Sequence, residues 1–206
     1  PDEQVVDPYL VASRLADDAV IAYHSALQFH GKAYSLHHRH YYLAKQRLRP
    51  FSFQGQEYVA VTQPKTPGAV DDPDPGIEQI SHRGLSVRVT SLERTLVDVL
   101  AEPDKGGGWE ELDRSLEMIE FVDLDAVVDY TLRFQNAAIA ARVGYYLERR
   151  QQEWMVDATY LERLASCAPR QPRYLDRRRF PSGRLVKPWN LIIPPSLLDR
   201  SWEEPE

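Results

Sequence analysis

What most constrains this chain is the order of its two periodicities. Before Thr90 the apolar residues alternate in short runs joined by tight turns; after it they recur every three or four positions. Phe51 and Phe53, the turn Gln54-Gly55-Gln56, then Tyr58, Val59 and Val61 read as a hairpin. A second strand pair, Ile77–Ile80 with Leu85–Val89, flanks His82-Arg83-Gly84, and β-favouring residues over Lys32–Ala44 predict a strand or strands. Strands that arrive as neighbouring hairpins, not alternating with helices, predict an α+β fold. Its sheet is expected to be antiparallel or mixed, with a bundle of about four helices packed against it.

Helix signals punctuate this pattern. Asp7-Pro8 offers an N-cap followed by proline at the first helical position. Tyr23–Phe29 reads as a short helix capped by Ser25 or the residue before it and stopped by Gly31. Thr90-Ser91-Leu92-Glu93 fits a capping box with Thr90 as the cap, and Leu92, Leu96, Val99 and Leu100 fall on one face. Arg94 and Asp98, four apart, are expected to pair on that helix's surface for about 0.2–0.5 kcal/mol. Further helices are expected from Trp109 to about Glu120, over Leu124–Phe134, after Asn136, and from Asp157 to near Pro169. Strand-like Arg173–Arg177, a turn at Pro181-Ser182-Gly183, strand-like Leu191–Ile193 and a helical turn over Pro195–Trp202 complete the reading. The proline- and acid-rich stretch Pro64–Gly76 reads as a loop.

At 206 residues, with 43% apolar and 27% charged residues, the composition is that of an ordinary globular chain, and a single domain over residues 1–206 is expected. No apolar run reaches the roughly 20 residues of a membrane helix. The single cysteine, Cys167, excludes an internal disulfide and a Cys-rich zinc module. It ends an amphipathic helix and is expected to be buried. A cytoplasmic location is expected.

Charge is distributed unevenly. Between Arg170 and Asn190 stand Arg170, Arg173, Arg177, Arg178, Arg179, Arg184 and Lys187 against Asp176 alone, a net of +6. The chain as a whole carries −6, so the remainder carries −12. A basic tail segment on an acidic body predicts an anionic partner, either nucleic acid or an acidic protein face. The candidate contacts are Arg173, Arg177, Arg178, Arg179, Arg184 and Lys187. The competing reading is a solvated loop whose arginines pair with the acidic body.

Other chemistry is weakly signalled. Gly106-Gly107-Gly108 reads as a flexible hinge, because Glu110 and Glu111 in the next helical turn would repel a phosphate. His37, His38 and His40 form a dense cluster in which His38 and His40 share a strand face, as metal ligands would. No third carboxylate or thiol stands near them in sequence, so no metal and no cofactor is expected. His24 and His30 read as packing or capping residues. Glu93 and Asp98 with a distant lysine would be the nearest approach to a metal-dependent nuclease. No Gly-x-Ser-x-Gly elbow is present, and no catalytic residue is assigned.

Four stretches together resemble one family. They are Ser25-Ala26-Leu27-Gln28-Phe29-His30-Gly31, then Val87-Arg88-Val89-Thr90-Ser91-Leu92-Glu93-Arg94-Thr95-Leu96-Val97-Asp98-Val99-Leu100, Gly107-Gly108-Trp109-Glu110-Glu111, and Arg142-Val143-Gly144-Tyr145-Tyr146-Leu147-Glu148. Over about residues 7 to 195 the chain resembles the C-terminal domain of AbiEi-type antitoxins, the transcriptional-regulator half of type IV toxin–antitoxin systems. The resemblance implies a non-enzymatic antitoxin that counteracts a nucleotidyltransferase-like toxin encoded beside it in abortive infection. It also implies that full-length members read operator DNA through an N-terminal winged helix–turn–helix. Nothing ahead of Pro8 matches such a domain, so it is expected to be absent here and operator reading is not expected of these residues.

Overall fold

A computed structural model describes residues 5–63, 75–179 and 181–199. The fold is α+β with a mixed sheet. It divides into two compact units, Pro1–Val122 and Asp123–Glu206, where the sequence reading set one domain over 1–206.

The first unit holds helix α1 (Pro8–Ala12), strand β1 (Val20–Ile21), α2 (His24–Phe29), β2 (Arg39–Ala44), β3 (Phe51–Phe53), β4 (Gln56–Thr62), β5 (Ile77–His82), β6 (Leu85–Thr90), α3 (Leu92–Ala101), a 3-10 turn (Pro103–Gly106) and α4 (Trp109–Glu117). Its strands form a sheet in the order β3-β4-β2-β1-β6-β5. Both predicted hairpins form, β3–β4 and β5–β6, each antiparallel. Their turns place Gln54-Gly55 and Arg83-Gly84 at positive φ, the arrangement of two-residue hairpin turns. Parallel pairings of β2 with β4 and of β1 with β6 make the sheet mixed. Strand structure in the 32–44 region is confined to Arg39–Ala44. The predicted loop lies outside the described residues from 64 to 74, as do residues 200–202 of the terminal helical turn.

Period-2 alternation explains the core. Tyr42 and Ala44 of β2, Tyr58 of β4, and Val87 and Val89 of β6 pack with Ile21, Ala12 and Ala26, and Tyr9 and Phe29 lean on the same cluster. Val20 and Leu43, paired across β1 and β2 on the other face, are also buried, so the central strands are covered on both sides.

Local signals shift by small steps. Asp7 caps α1 as predicted, accepting from Tyr9 and Leu10 amides. Ser25 does not cap α2; the cap position is Tyr23 at φ 55, and Ser25 Oγ instead accepts from the Tyr41 amide at 2.7 Å. Gly31 is left-handed as expected (φ 69). The cap of α3 is Ser91, accepting from the Arg94 amide, so the capping box centred on Thr90 is not formed. Thr90 ends β6, and its hydroxyl meets that of Thr95 at 2.7 Å. Arg94 and Asp98 of α3 lie inward. They are 2% and 1% exposed and pair at 3.3 Å, and Arg94 also donates to the Pro75 carbonyl. The expected surface pair is thus a buried one, in which the loss of either partner strands a charge. It also engages Asp98, one of the two carboxylates of the grouping of Glu93 with Asp98.

Gly106-Gly107-Gly108 is a packed turn and not a hinge. A Cβ on Gly107 (φ 94) would come within 2.6 Å of Glu111, and one on Gly106 within 2.3 Å of Leu112. The Gly108 amide is tied to the Pro103 carbonyl at 2.8 Å. Trp109, Leu112 and Leu116 of α4, and Ile119 just beyond its end, are buried as predicted.

The second unit holds α5 (Leu124–Arg133), α6 (Ala137–Arg149), α7 (Ala158–Ser166), β7 (Arg173–Tyr174), β8 (Arg184–Val186), β9 (Leu191–Ile193) and α8 (Pro195–Asp199). Asp123, Asn136 and Asp157 cap α5, α6 and α7 through their side chains. The small sheet runs β7-β9-β8. Trp189, fully buried, lies against Gly144 of α6, where a Cβ would meet the indole ring at 2.0 Å. Its indole nitrogen donates to Glu148 Oε2 at 2.8 Å. Cys167, expected to be buried, is exposed at the end of α7. No helix among the described residues is long and apolar enough to cross a membrane.

Candidate functional site

The basic segment is held on a defined frame. Trp189 anchors its end to α6, Arg142 of α6 donates to the Leu175 carbonyl at 2.8 Å, and Asn190 Nδ2 donates to the Pro169 carbonyl at 2.7 Å. On that frame Arg173 stands in β7, Arg177, Arg178 and Arg179 in the turn after it, Arg184 in β8 and Lys187 in the turn before β9; all six are exposed. Asp176, the segment's one acid, spends Oδ1 on the backbone amides of Arg178 and Arg179. Its Oδ2 lies 4.0 Å from Arg179 Nε. That carboxylate shapes the turn more than it neutralises it. Arg177 lies 5.8 Å from the Tyr174 ring centroid, within cation–π range. Arg173, Arg177, Arg178, Arg184 and Lys187 form no ion pair with any described residue, so the solvated-pairing reading does not hold for them among those residues.

Beside this segment lies an open cleft of about 750 Å³, walled by the start of α6 and the chain from Ser166 to Arg173. Cys167, Arg170, Gln171 and Arg173 face Gln135 and Asn136 across it. An adjoining lobe of about 450 Å³ is lined by Thr131, Leu132 and Ala140 and shares Gln135, Asn136, Ala137 and Cys167. Sequence reasoning missed the cleft. It counted Arg170 in the segment's charge, but nothing in the sequence places Gln135 opposite it.

The histidine cluster is divided. His38 lies just ahead of β2 and is exposed whereas His40 in β2 is buried, so the two do not share a strand face, although Gln56 bridges them at 3.1 and 2.8 Å. His40 is buried, its ring 5.4 Å from that of Tyr58. Burial, the leading effect, lowers its pKa from the ordinary histidine value. His37 instead stacks on His24 with ring centroids 3.8 Å apart. Among the described residues His24, His37 and Glu111 bring ligand-type atoms within 4.8 Å of one another; Glu111 is the third carboxylate that the sequence did not offer.

That trio is a hydrogen-bonded node. Gln28 Oε1 accepts from the His37 amide and faces His24 Nδ1 at 2.9 Å, while His24 Nε2 meets Glu111 Oε1 at 3.0 Å. Both nitrogens of the fully buried His24 ring thus face side-chain oxygens within the node. Glu111 also accepts from the Ser35 amide, the Ser35 hydroxyl and the Ser115 hydroxyl. Two rings stacked in parallel cannot aim in-plane lone pairs at one metal between them. Burial raises the Glu111 carboxyl, but the bonds from Ser35, His24 and Ser115 outweigh it and hold its pKa below the ordinary value. Burial and then the neighbouring His24 lower that of His37.

Among known proteins, no family model matches this chain. No curated protein matches it either. A solved structure shares its fold. The crystal structure of the RV2827C protein from Mycobacterium tuberculosis is similar over 97% of this chain and 72% of that chain, with a TM-score of 0.62 and 16% sequence identity. A likeness at that identity carries the fold alone.

Proposed function

We propose that this chain is a non-enzymatic antitoxin and regulator of the AbiEi type, working through the exposed basic segment of the second unit. In this reading it counteracts a nucleotidyltransferase-like toxin encoded beside it in the cytoplasm, and the segment contacts nucleic acid. The observation that carries the contact surface is the set of exposed arginines left without acidic partners among the described residues. The antitoxin role rests on the sequence resemblance, above all on the stretch from Val87 to Leu100, whose residues are mostly buried and so mark the fold. The alternative of a metal-dependent nuclease finds less support, since among the described residues Asp98 pairs with Arg94 and Glu111 with the His24 node.

Two experiments test this. Expression of the 206 residues in cells producing the neighbouring gene's product is expected to restore growth. Failure of a soluble, folded chain to do so would count against antitoxicity residing here. Fluorescence anisotropy is expected to show weak oligonucleotide binding that falls steeply with salt, because each neutralised phosphate releases a counterion.

A further inference from the structure

We propose that the cleft between the start of α6 and the chain from Ser166 to Arg173 binds a nucleoside phosphate. This extends the reading above, because Arg173 belongs to the same basic segment. The cleft has two chemically different halves. One half, about 750 Å³, is lined by Arg170 and Arg173 together with Gln135 and Gln171. The other, about 450 Å³, is bounded by Thr131, Leu132 and Ala140 and is largely apolar. Both volumes fall in the range of about 300–1,000 Å³ usual for small-molecule sites.

Charge decides which end of a ligand goes where. Arg170 and Arg173 are exposed and form no ion pair with any described residue, so they remain available to a phosphate. The first free amides of α6 do not compete for the anion, because the Asn136 side chain already accepts from the Ala138 and Ile139 amides. The apolar lobe suits a planar base, and Gln135, common to both halves, can donate to and accept from a base edge. An unpaired base with its phosphate fits this division; a base inside a duplex, stacked on both sides, does not. The shared chemistry has two sources, a free nucleotide or an unpaired nucleotide of a single strand.

Cys167 reports on occupancy. It is the chain's one cysteine, it is exposed, and it lines both halves. The test is the rate at which Ellman's reagent modifies Cys167 in the full chain, with each nucleoside 5′-monophosphate, a single-stranded RNA decamer, its duplex, and inorganic phosphate. The expected result is at least fivefold slowing by monophosphates or by the single strand, little by the duplex or phosphate, and none in a folded Arg170→Ala/Arg173→Ala variant. Slowing by monophosphates identifies a free-nucleotide site; slowing by the strand alone identifies a site for an unpaired nucleotide of a single strand. A rate unchanged by all four probes overturns the proposal, as does equal protection by the duplex. Anisotropy with an Arg177→Ala/Arg178→Ala/Arg179→Ala variant, run in parallel, separates the two ideas. Salt-sensitive binding without Cys167 protection sinks the cleft alone. Protection by monophosphates without oligonucleotide binding upholds the cleft and sinks the nucleic-acid reading.

Discussion

Glu111 shows how one side chain can carry pH dependence. Its carboxyl is held below the ordinary value of 4.5, so the unfolded chain takes up that proton first as pH falls. The stability it contributes is present above that ordinary value and is lost as pH falls through the folded value. His37 and His40, lowered below the ordinary 6.5, act earlier in the same direction, because the unfolded chain protonates them first. Acid destabilisation is therefore expected in two steps, one beginning near the ordinary histidine value and one near the carboxylate value. Urea midpoints at descending pH would follow both, and Glu111→Gln is expected to flatten the lower step. Arg94 makes a sharper case. Arg94→Met leaves Asp98 buried without its charge partner and is expected to cost about 3–5 kcal/mol, whereas Arg94→Met with Asp98→Leu recovers much of that loss. Equal losses in the single and double variants would show that the pair itself is stabilising.

At the scale of elements, the cap of α3 separates two readings of the same residues. Ser91→Ala is expected to cost about 1 kcal/mol in chemical denaturation through loss of the cap. Hairpins, caps and helix stripes were legible because they depend on neighbours in sequence: Gln54-Gly55, Arg83-Gly84, Asp7, Asn136 and Asp157 all act as read. The misreadings at Ser25, Arg94, Gly107 and Cys167 depend on what lies opposite. Ser25 serves the Tyr41 amide, Gly107 makes room for Glu111 and His37, and no local pattern announces either. The candidate site divides the same way. The arginines could be listed from composition, but their exposure on the small sheet's frame and the cleft beside them are tertiary facts. Gly107→Ala, strained at φ 94 and crowded, is expected to lower the thermal midpoint by several degrees.

For the molecule as a whole, net charge and its distribution govern association. A chain of −6 with a segment of +6 should approach nucleic acid only through that segment. The slope of log affinity against log salt is expected to fall by about 0.7 for each single-strand phosphate contact removed. Arg177→Ala/Arg178→Ala/Arg179→Ala is thus expected to flatten it by about 2, measured by anisotropy between about 50 and 200 mM salt. An unchanged slope would mean that the three arginines do not touch phosphate.

The contact of Trp189 with Gly144 has a consequence for descent. A ring pressed on a bare Cα cannot tolerate a methyl group there, so Gly144 cannot gain a side chain while Trp189 stays. Lineages that share this fold are expected to keep glycine and tryptophan as a pair or to exchange both, trading a side chain at 144 for a smaller one at 189. An alignment in which the two positions vary independently would refute that coupling.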